Sequence, residues 1–379
     1  MRSEIVVIGG GIIGCAAAAI LADRGARVTL VERTAIGAGA SGRNLGAIQH
    51  PFDPSLARLH HDSLTRYVAL ADAFGGFPMP RTPVGLMLLH HDADVAAAHA
   101  ASLADAVPEL RPALLTPEEV VEAEPSLRPG PAGVWLATGF PIPPASATSA
   151  WASLAEERGA RLRVGVAARP VVEAGAVSGV ALSDGDAIGA DAVLVAAGPW
   201  SPPLVAGDGS WDRIRPTFGV TLQLRLDGDA PHAILEEDEV DTINRAAAAT
   251  ERAALETDGE PPSLFSLASA NGVSTLGSTF LPSEPDSLRV GQLLLRRATE
   301  FLPAIQRAEV VERRLCARPQ SVDGRPFIGP VAGVDGLFVC AGHGPWGIST
   351  GPGSAAMVAR AILDGTRPPP ELEASRPIG

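Results

Sequence analysis

Gly9, Gly11 and Gly14 fall at the spacing G-x-G-x-x-G, directly after the apolar run Glu4–Ile8 and at the opening of an alanine-rich segment with helical spacing, residues 12–24. Position gives this motif its meaning. The first glycine allows a tight turn, the second lets a pyrophosphate approach the backbone, and the third lets the helix pack closely. Unpaired N–H groups of the first helical turn, with Ile13 among its residues, and the positive end of the helix dipole then hold phosphate oxygens. Glu32 ends a second β-type run, residues 27–31, about 20 residues after the glycines. A carboxylate there accepts ribose hydroxyls and repels a 2′-phosphate, and Arg33 follows at the same edge. The strand, helix and strand together have the size of a right-handed crossover. A dinucleotide is implied, although the motif alone does not separate FAD from NAD.

The other chemistry-bearing residue types exclude more than they suggest. All 30 basic residues are arginine, so no lysine can be a catalytic base. Cys15, Cys316 and Cys340 are far apart with no CxxC, which points away from a disulfide framework or zinc cluster and towards a reducing cytoplasm. His60 and His61, like His90 and His91, are sequence neighbours whose rings project apart, so no metal site is expected. A net charge of −13 leaves no broad basic surface for nucleic acid or anionic membrane. Apolar stretches such as residues 15–22 are far shorter than the roughly 18 residues of a membrane span. With a strand pattern already under way at Ile5, a cleavable signal peptide is not expected.

These residues need a scaffold. A chain of 379 residues with 46% hydrophobic content, 41 glycines and 34 prolines reads as globular and turn-rich, with two intertwined domains. Further β-type runs at 192–196 and 337–340, each followed by a glycine-containing turn, join the first sheet from far along the chain. Helical stretches near 54–74 and 93–107, proline-rich turns at 77–83 and β-like runs at 84–89 and 218–225 suit a second domain. The expected fold class is α/β: a discontinuous Rossmann-like nucleotide-binding domain with a second α+β substrate domain built on an antiparallel sheet. Residues 1–76, 142–213 and 313–379 are assigned to the first, and 77–141 and 214–312 to the second. Residues 227–262, acidic from Glu236 to Glu239, read as a loop-rich insertion, and the tail beyond Arg367 as frayed.

Later segments decide between the two dinucleotides. They are residues 36–46 (IGAGASGRNLG), 159–168, 193–201 (VLVAAGPWS), 318–326 with Gly329 (pattern RPxxxDGxPxxG) and 342–348 (GHGPWGI, pattern GHxxxGI). In this order, and over nearly the whole chain, they resemble the D-amino acid oxidase superfamily, in particular its glycine oxidase and sarcosine oxidase branch. The resemblance implies FAD. It also implies that Ser41, Arg43, Asn44 and Gly46 wrap the diphosphate and approach the isoalloxazine. Ala168 would end the strand that holds the adenine, and Ala197 and Gly198 would lie in the turn under the cofactor. Gly342, Gly344, Pro345, Trp346, Gly347 and Ile348 would form the loop facing the flavin. A helix pattern over 353–363, after Pro352, adds a physical reason: N–H groups at a helix N-terminus favour the negative charge of reduced flavin.

For the substrate, the resemblance implies a small amine or amino acid of the glycine, sarcosine, D-amino acid or imino acid class, oxidised at its C–N bond by hydride transfer to flavin N5. Arg318 would pair with its carboxylate, which a guanidinium does bidentately. The alternative is an Arg318 paired with an acidic neighbour such as Asp323. His343 and His50 are the candidate polar groups near the reacting amine. Pro345 stands where glycine oxidases carry a second arginine, and the only tyrosine, Tyr67, cannot supply the tyrosines that often line the site. Trp346 or Phe218 would take their space. Cys316 aligns with the cysteine that carries covalent flavin in monomeric sarcosine oxidases; a buried small residue beside noncovalent FAD is the alternative. In sarcosine oxidase relatives a lysine near the flavin helps oxygen accept electrons; with no lysine in this chain, either an arginine or histidine takes that part or another acceptor replaces oxygen. Two further readings stay open: an NAD-dependent dehydrogenase, and the flavin subunit of a multi-chain amine dehydrogenase with a partner subunit. A homo-oligomer is compatible with each.

Overall fold

In the computed structural model, which describes residues 3–74, 77–228, 230–238 and 264–378, the apolar strands Glu4–Ile8, Arg27–Glu32 and Ala192–Val195 lie side by side and parallel. Leu337–Ala341 and Arg161–Val164 extend them in parallel on either side, and Phe327–Pro330 closes one edge antiparallel. Both faces are covered, as the apolar runs require. Ile5, Val7 and Leu30 face one core, whereas Val6, Ile8 and Val31 join Val193, Val195 and Phe327 in another. The small side chains Ala16, Ala17, Ala18 and Ala19 let helix Ile12–Asp23 settle closely between helices Pro144–Glu157 and Gly347–Asp364.

The second sheet has eight strands in the order Glu309–Ser321, Ile214–Arg225, Val273–Gly277, Ser266–Ala270, Ile234–Glu237, Leu86–His90, Ala132–Leu136 and Ala113–Leu115. It is antiparallel except where Ile234–Glu237 runs beside Leu86–His90. Helix Ser287–Phe301 packs Val290, Leu294 and Ala298 against it, and helix Ala93–Ala106 packs Ala96, Ala100 and Leu103 against Leu86 and Leu88.

The structure departs from four expectations. Strand Ile234–Glu237 is wholly buried in the sheet, inside the region read as a loop-rich insertion; residues 239–262 of that region lie outside the described residues. Four residues are too few to display a period, and two glutamates disguised them. The tail is docked rather than frayed: Ile328 N–H donates to the Leu372 carbonyl at 2.8 Å, and Ala374 N–H donates to the Ile328 carbonyl at 2.9 Å. Residues 313–321, expected in the nucleotide-binding domain, belong to the larger sheet, where they pair with Ile214–Arg225. Finally, helix Gly347–Asp364 begins before Pro352 and contains it.

Candidate active site

A cavity of about 670 Å³ opens at the carboxyl ends of the parallel strands, where such sheets take their ligands. Its size suits a cofactor, for which sites of roughly 300–1,000 Å³ are usual. Glu32, Arg33 and Ala168 line it beside Trp200, over whose ring the Arg33 guanidinium stacks at 3.8 Å. The fingerprint turn contributes Gly9, Gly11 and Ile13; the following segments contribute Ser41, Arg43 and Asn44, and Ala197 and Gly198. His343, Gly344, Pro345, Gly347 and Ile348 come from the late loop, and Cys316 and Arg318 from the larger sheet. Gly14, Gly46 and Gly342 do not line the cavity. A Cβ on Gly14 would sit 1.9 Å from the Gly9 carbonyl oxygen, so this glycine admits the turn itself rather than only the packing of helix on sheet.

Each lining segment is tied down. The Glu32 carboxylate accepts from Gly10 N–H at 2.7 Å and from the N–H and hydroxyl of Thr34 at 2.8 and 2.9 Å. Ser41 Oγ accepts from Ile12 N–H at 2.9 Å, linking its segment to the helix N-terminus. Asn44 staples the bend: Nδ2 donates to the Ala40 and Ser41 carbonyls, and Oδ1 accepts from Gly46 N–H. First-turn N–H groups such as that of Ile13 have no helical acceptor. With the fixed Glu32 carboxylate and the glycine-walled space, they form a donor and acceptor set that fits the ribose and diphosphate of a dinucleotide.

His343 is buried, with Nε2 2.9 Å from Ser354 Oγ, and Ser354 Oγ in turn donates to the Thr350 carbonyl at 2.9 Å. The network therefore assigns the proton to Nε2 and leaves Nδ1 as a buried acceptor. Burial pushes its pKa down to about 3, so the ring is neutral. Pro352 cannot supply the N–H that would bond the Ile348 carbonyl, and the fully buried Tyr67 hydroxyl donates to that carbonyl at 2.9 Å. The one tyrosine of the chain thus serves the helix, not the cavity.

A smaller cavity of about 60 Å³ adjoins the first and shares Asn44, Arg318, Pro345 and Ile348 with it. Arg318 is only 8% exposed. Its Nη1 donates to the Thr279 carbonyl at 2.7 Å, and its guanidinium lies 4.5 Å from the Phe280 ring centroid. Gly219 makes the room, since a Cβ there would sit 2.3 Å from Nη1. Desolvation lowers the Arg318 pKa. Asp323, the alternative partner, is instead held bidentately by Arg376 at 2.7 and 2.8 Å. Among the described residues no carboxylate forms an ion pair with Arg318.

Trp346 and Phe280 line the small cavity; Phe218 does not. His50 lines neither cavity: its ring packs edge-on against His60 and Phe52, and Nδ1 accepts from Phe52 N–H at 3.2 Å. Sequence reasoning missed its neighbour Gln49, and also Ser266 and Glu236, all of which line the small cavity. The only signal for Glu236 was its place in an acidic run, which reads equally well as a solvated surface.

Residues 4–361 match the family model DAO, described as FAD dependent oxidoreductase. The glycine oxidase of Pseudomonas aeruginosa is 32% identical over 383 residues, covering 97% of this chain and 96% of that protein. The solved glycine oxidase of Geobacillus kaustophilus matches in fold with a TM-score of 0.82, 24% identity and full coverage of both chains. An L-proline dehydrogenase from P. horikoshii matches at a TM-score of 0.80 and 22% identity, covering 98% of this chain and 96% of that one. The fingerprint turn, the Glu32 carboxylate and the late loop line one cavity, and the chain belongs to the DAO family of FAD-dependent oxidoreductases.

Proposed function

We propose that the chain oxidises the C–N bond of a small amine that carries a carboxylate, of the glycine, sarcosine, D-amino acid or imino acid kind, and that Arg318 holds the carboxylate. FAD supplies the two-electron acceptor when bound, with Glu32 towards the ribose, the turn from Gly9 to Ile13 towards the diphosphate, and the loop 342–348 towards the flavin ring. The observation that carries the reading is the state of Arg318. It is a desolvated guanidinium at the junction of the two cavities, oriented by one carbonyl and one aromatic face and without a carboxylate partner among the described residues. Burying a cation without a counter-charge is costly, and an anionic ligand offsets that cost. The planar fork matches a carboxylate in two parallel bonds. His343, neutral and fixed by Ser354, brings no positive charge to the cavity wall.

The test is an anaerobic screen of glycine, sarcosine, proline, D-amino acids and simple amines, read by bleaching of the oxidised flavin band. Carboxylate-bearing amines are expected to bleach it, and their decarboxylated analogues are not. Arg318→Ala is expected to lose at least about 2 kcal/mol, or some thirtyfold in reduction efficiency. Arg318→Lys keeps the charge without the fork and rescues only part of the loss. An Arg318→Ala variant that binds FAD and is reduced as efficiently as the parent would sink the amino-acid assignment.

A further inference from the structure

Arg318 sits in a frame made from two segments that are bonded to each other. In the register of the larger sheet Arg318 stands opposite Thr217 and Cys316 opposite Gly219. Arg318 and Gly219 are therefore diagonal neighbours on one face, within reach of a long side chain. Residues 279–281 are fastened to the same stretch of strand Ile214–Arg225: Phe218 and Leu281 exchange both backbone hydrogen bonds, at 2.7 and 2.9 Å, and Val220 N–H donates to Thr279 Oγ1 at 3.0 Å. These bonds flank Gly219. The same short segment supplies the Thr279 carbonyl that accepts from Arg318 Nη1 and the Phe280 ring against the guanidinium.

A Cβ at position 219 would lie 2.6 Å from both Cζ and Nη2 of Arg318, and its three nearest atoms all belong to this one guanidinium. Unbonded carbon atoms settle at roughly 3.5–4.0 Å, so any larger residue displaces the arginine head. The glycine is not there for its backbone freedom, since it lies inside a strand and does not take a left-handed conformation. A glycine weakens a strand interior, and its use there marks a close approach. We propose that Gly219 is the positioning residue of the carboxylate anchor: it lets the Arg318 guanidinium lie against the strand, at the height where Thr279 and Phe280 set its plane, and it acts on substrate only through Arg318. The inference rests on the proposed function and names what orients its anchor. Pairing with a carboxylate in two parallel bonds depends on the plane of the fork as well as on its charge, so a displaced guanidinium keeps the charge and loses the fit.

The experiment is a double-mutant cycle on the holoenzyme with glycine and sarcosine as probes, read anaerobically as the efficiency of flavin reduction. Gly219→Ala alone is expected to lose at least about tenfold. Added to Arg318→Ala, which loses some thirtyfold by itself, it is expected to change the efficiency by less than about twofold, where independent losses would multiply to about three-hundredfold. Urea midpoints give a second readout that needs no substrate. Alanine in place of a strand glycine stabilises where space is free, so the substitution is expected to raise the midpoint with alanine at 318 and not with arginine at 318. A Gly219→Ala chain that folds only in the Arg318→Ala background supports the same geometry. A Gly219→Ala variant reduced as efficiently as the parent, or an equal loss in both backgrounds, overturns the positioning role and leaves the anchor standing. An Arg318→Ala variant reduced as efficiently as the parent removes the anchor and its positioning residue together.

Discussion

A buried hydroxyl completes the hydrogen bonding of the late helix. The Tyr67 hydroxyl is fully buried, and burial raises its pKa well above the ordinary value, so it is a neutral donor at every working pH. It donates to the Ile348 carbonyl, which Pro352 deprives of its helical partner. Tyr67→Phe leaves the ring contact with Phe77 intact and orphans that carbonyl in the interior. The expected cost is about 1–3 kcal/mol in unfolding free energy. Because Ile348 lines both cavities, the same change is expected to weaken FAD retention. Urea titration with and without added FAD measures both effects, and an unchanged midpoint would count against the hydroxyl. Glycine at 352 in place of proline restores an N–H, so it should recover part of the Tyr67→Phe loss despite the greater freedom of its backbone.

The elements that carry the site differ in how plainly the sequence announces them. The strands Glu4–Ile8 and Arg27–Glu32 and the helix between them were legible because apolar run, glycine turn and alanine-rich period all agree within one short stretch. The late loop was legible through its resemblance, but the start of its helix was not, because a proline normally marks a boundary and here a distant tyrosine compensates for it. Glu236 was invisible for a related reason: a four-residue strand shows no period, and its carboxylate accepts from Gln49, 187 residues away in sequence. The tail was misread on composition, since the prolines say nothing about Arg376, which lies over Phe327 and pairs with Asp323 across 53 residues. That pair, with further bonds from Arg376 to the Arg325, Pro326 and Glu373 carbonyls, pins the tail to the edge strand Phe327–Pro330. Ending the chain at Arg367 is therefore expected to lower the urea midpoint. Arg376→Ala alone should reproduce much of that loss, about 2–4 kcal/mol, by leaving Asp323 partly buried without its partner. A truncated chain as stable as the parent would mean that the docking contributes nothing.

Over the whole molecule, buried neutral histidines set the response to acid. Burial holds His343 at a pKa of about 3 and His60 at about 4, with the neighbouring His50 adding to the effect at His60. In the unfolded chain both titrate near 6.5. Above that pH neither state binds the proton, and the two histidines contribute no pH dependence. As the pH falls through 6.5, the unfolded chain takes up protons that the folded chain refuses, so stability declines until the folded values are reached near 4 and 3. Each group contributes a slope of roughly 1.4 kcal/mol per pH unit within its window. The two together should remove about 2 kcal/mol between pH 6 and pH 5, and carboxylates paired with arginine add in the same direction at lower pH. Both histidines bear on the candidate site: His343 lines the larger cavity, and His60 lies beside Ser349, whose hydroxyl holds the Gln49 backbone. Acid should therefore loosen the cavity and the fold together, with FAD release tracking the unfolding transition. Urea midpoints of the FAD-saturated protein at pH 7.5, 6 and 5 measure the slope, and His60→Gln, which cannot take the proton, should flatten it by about one group's share. A His60→Gln variant with the parent's slope would show that folded His60 takes up its proton over the same pH range as the unfolded chain.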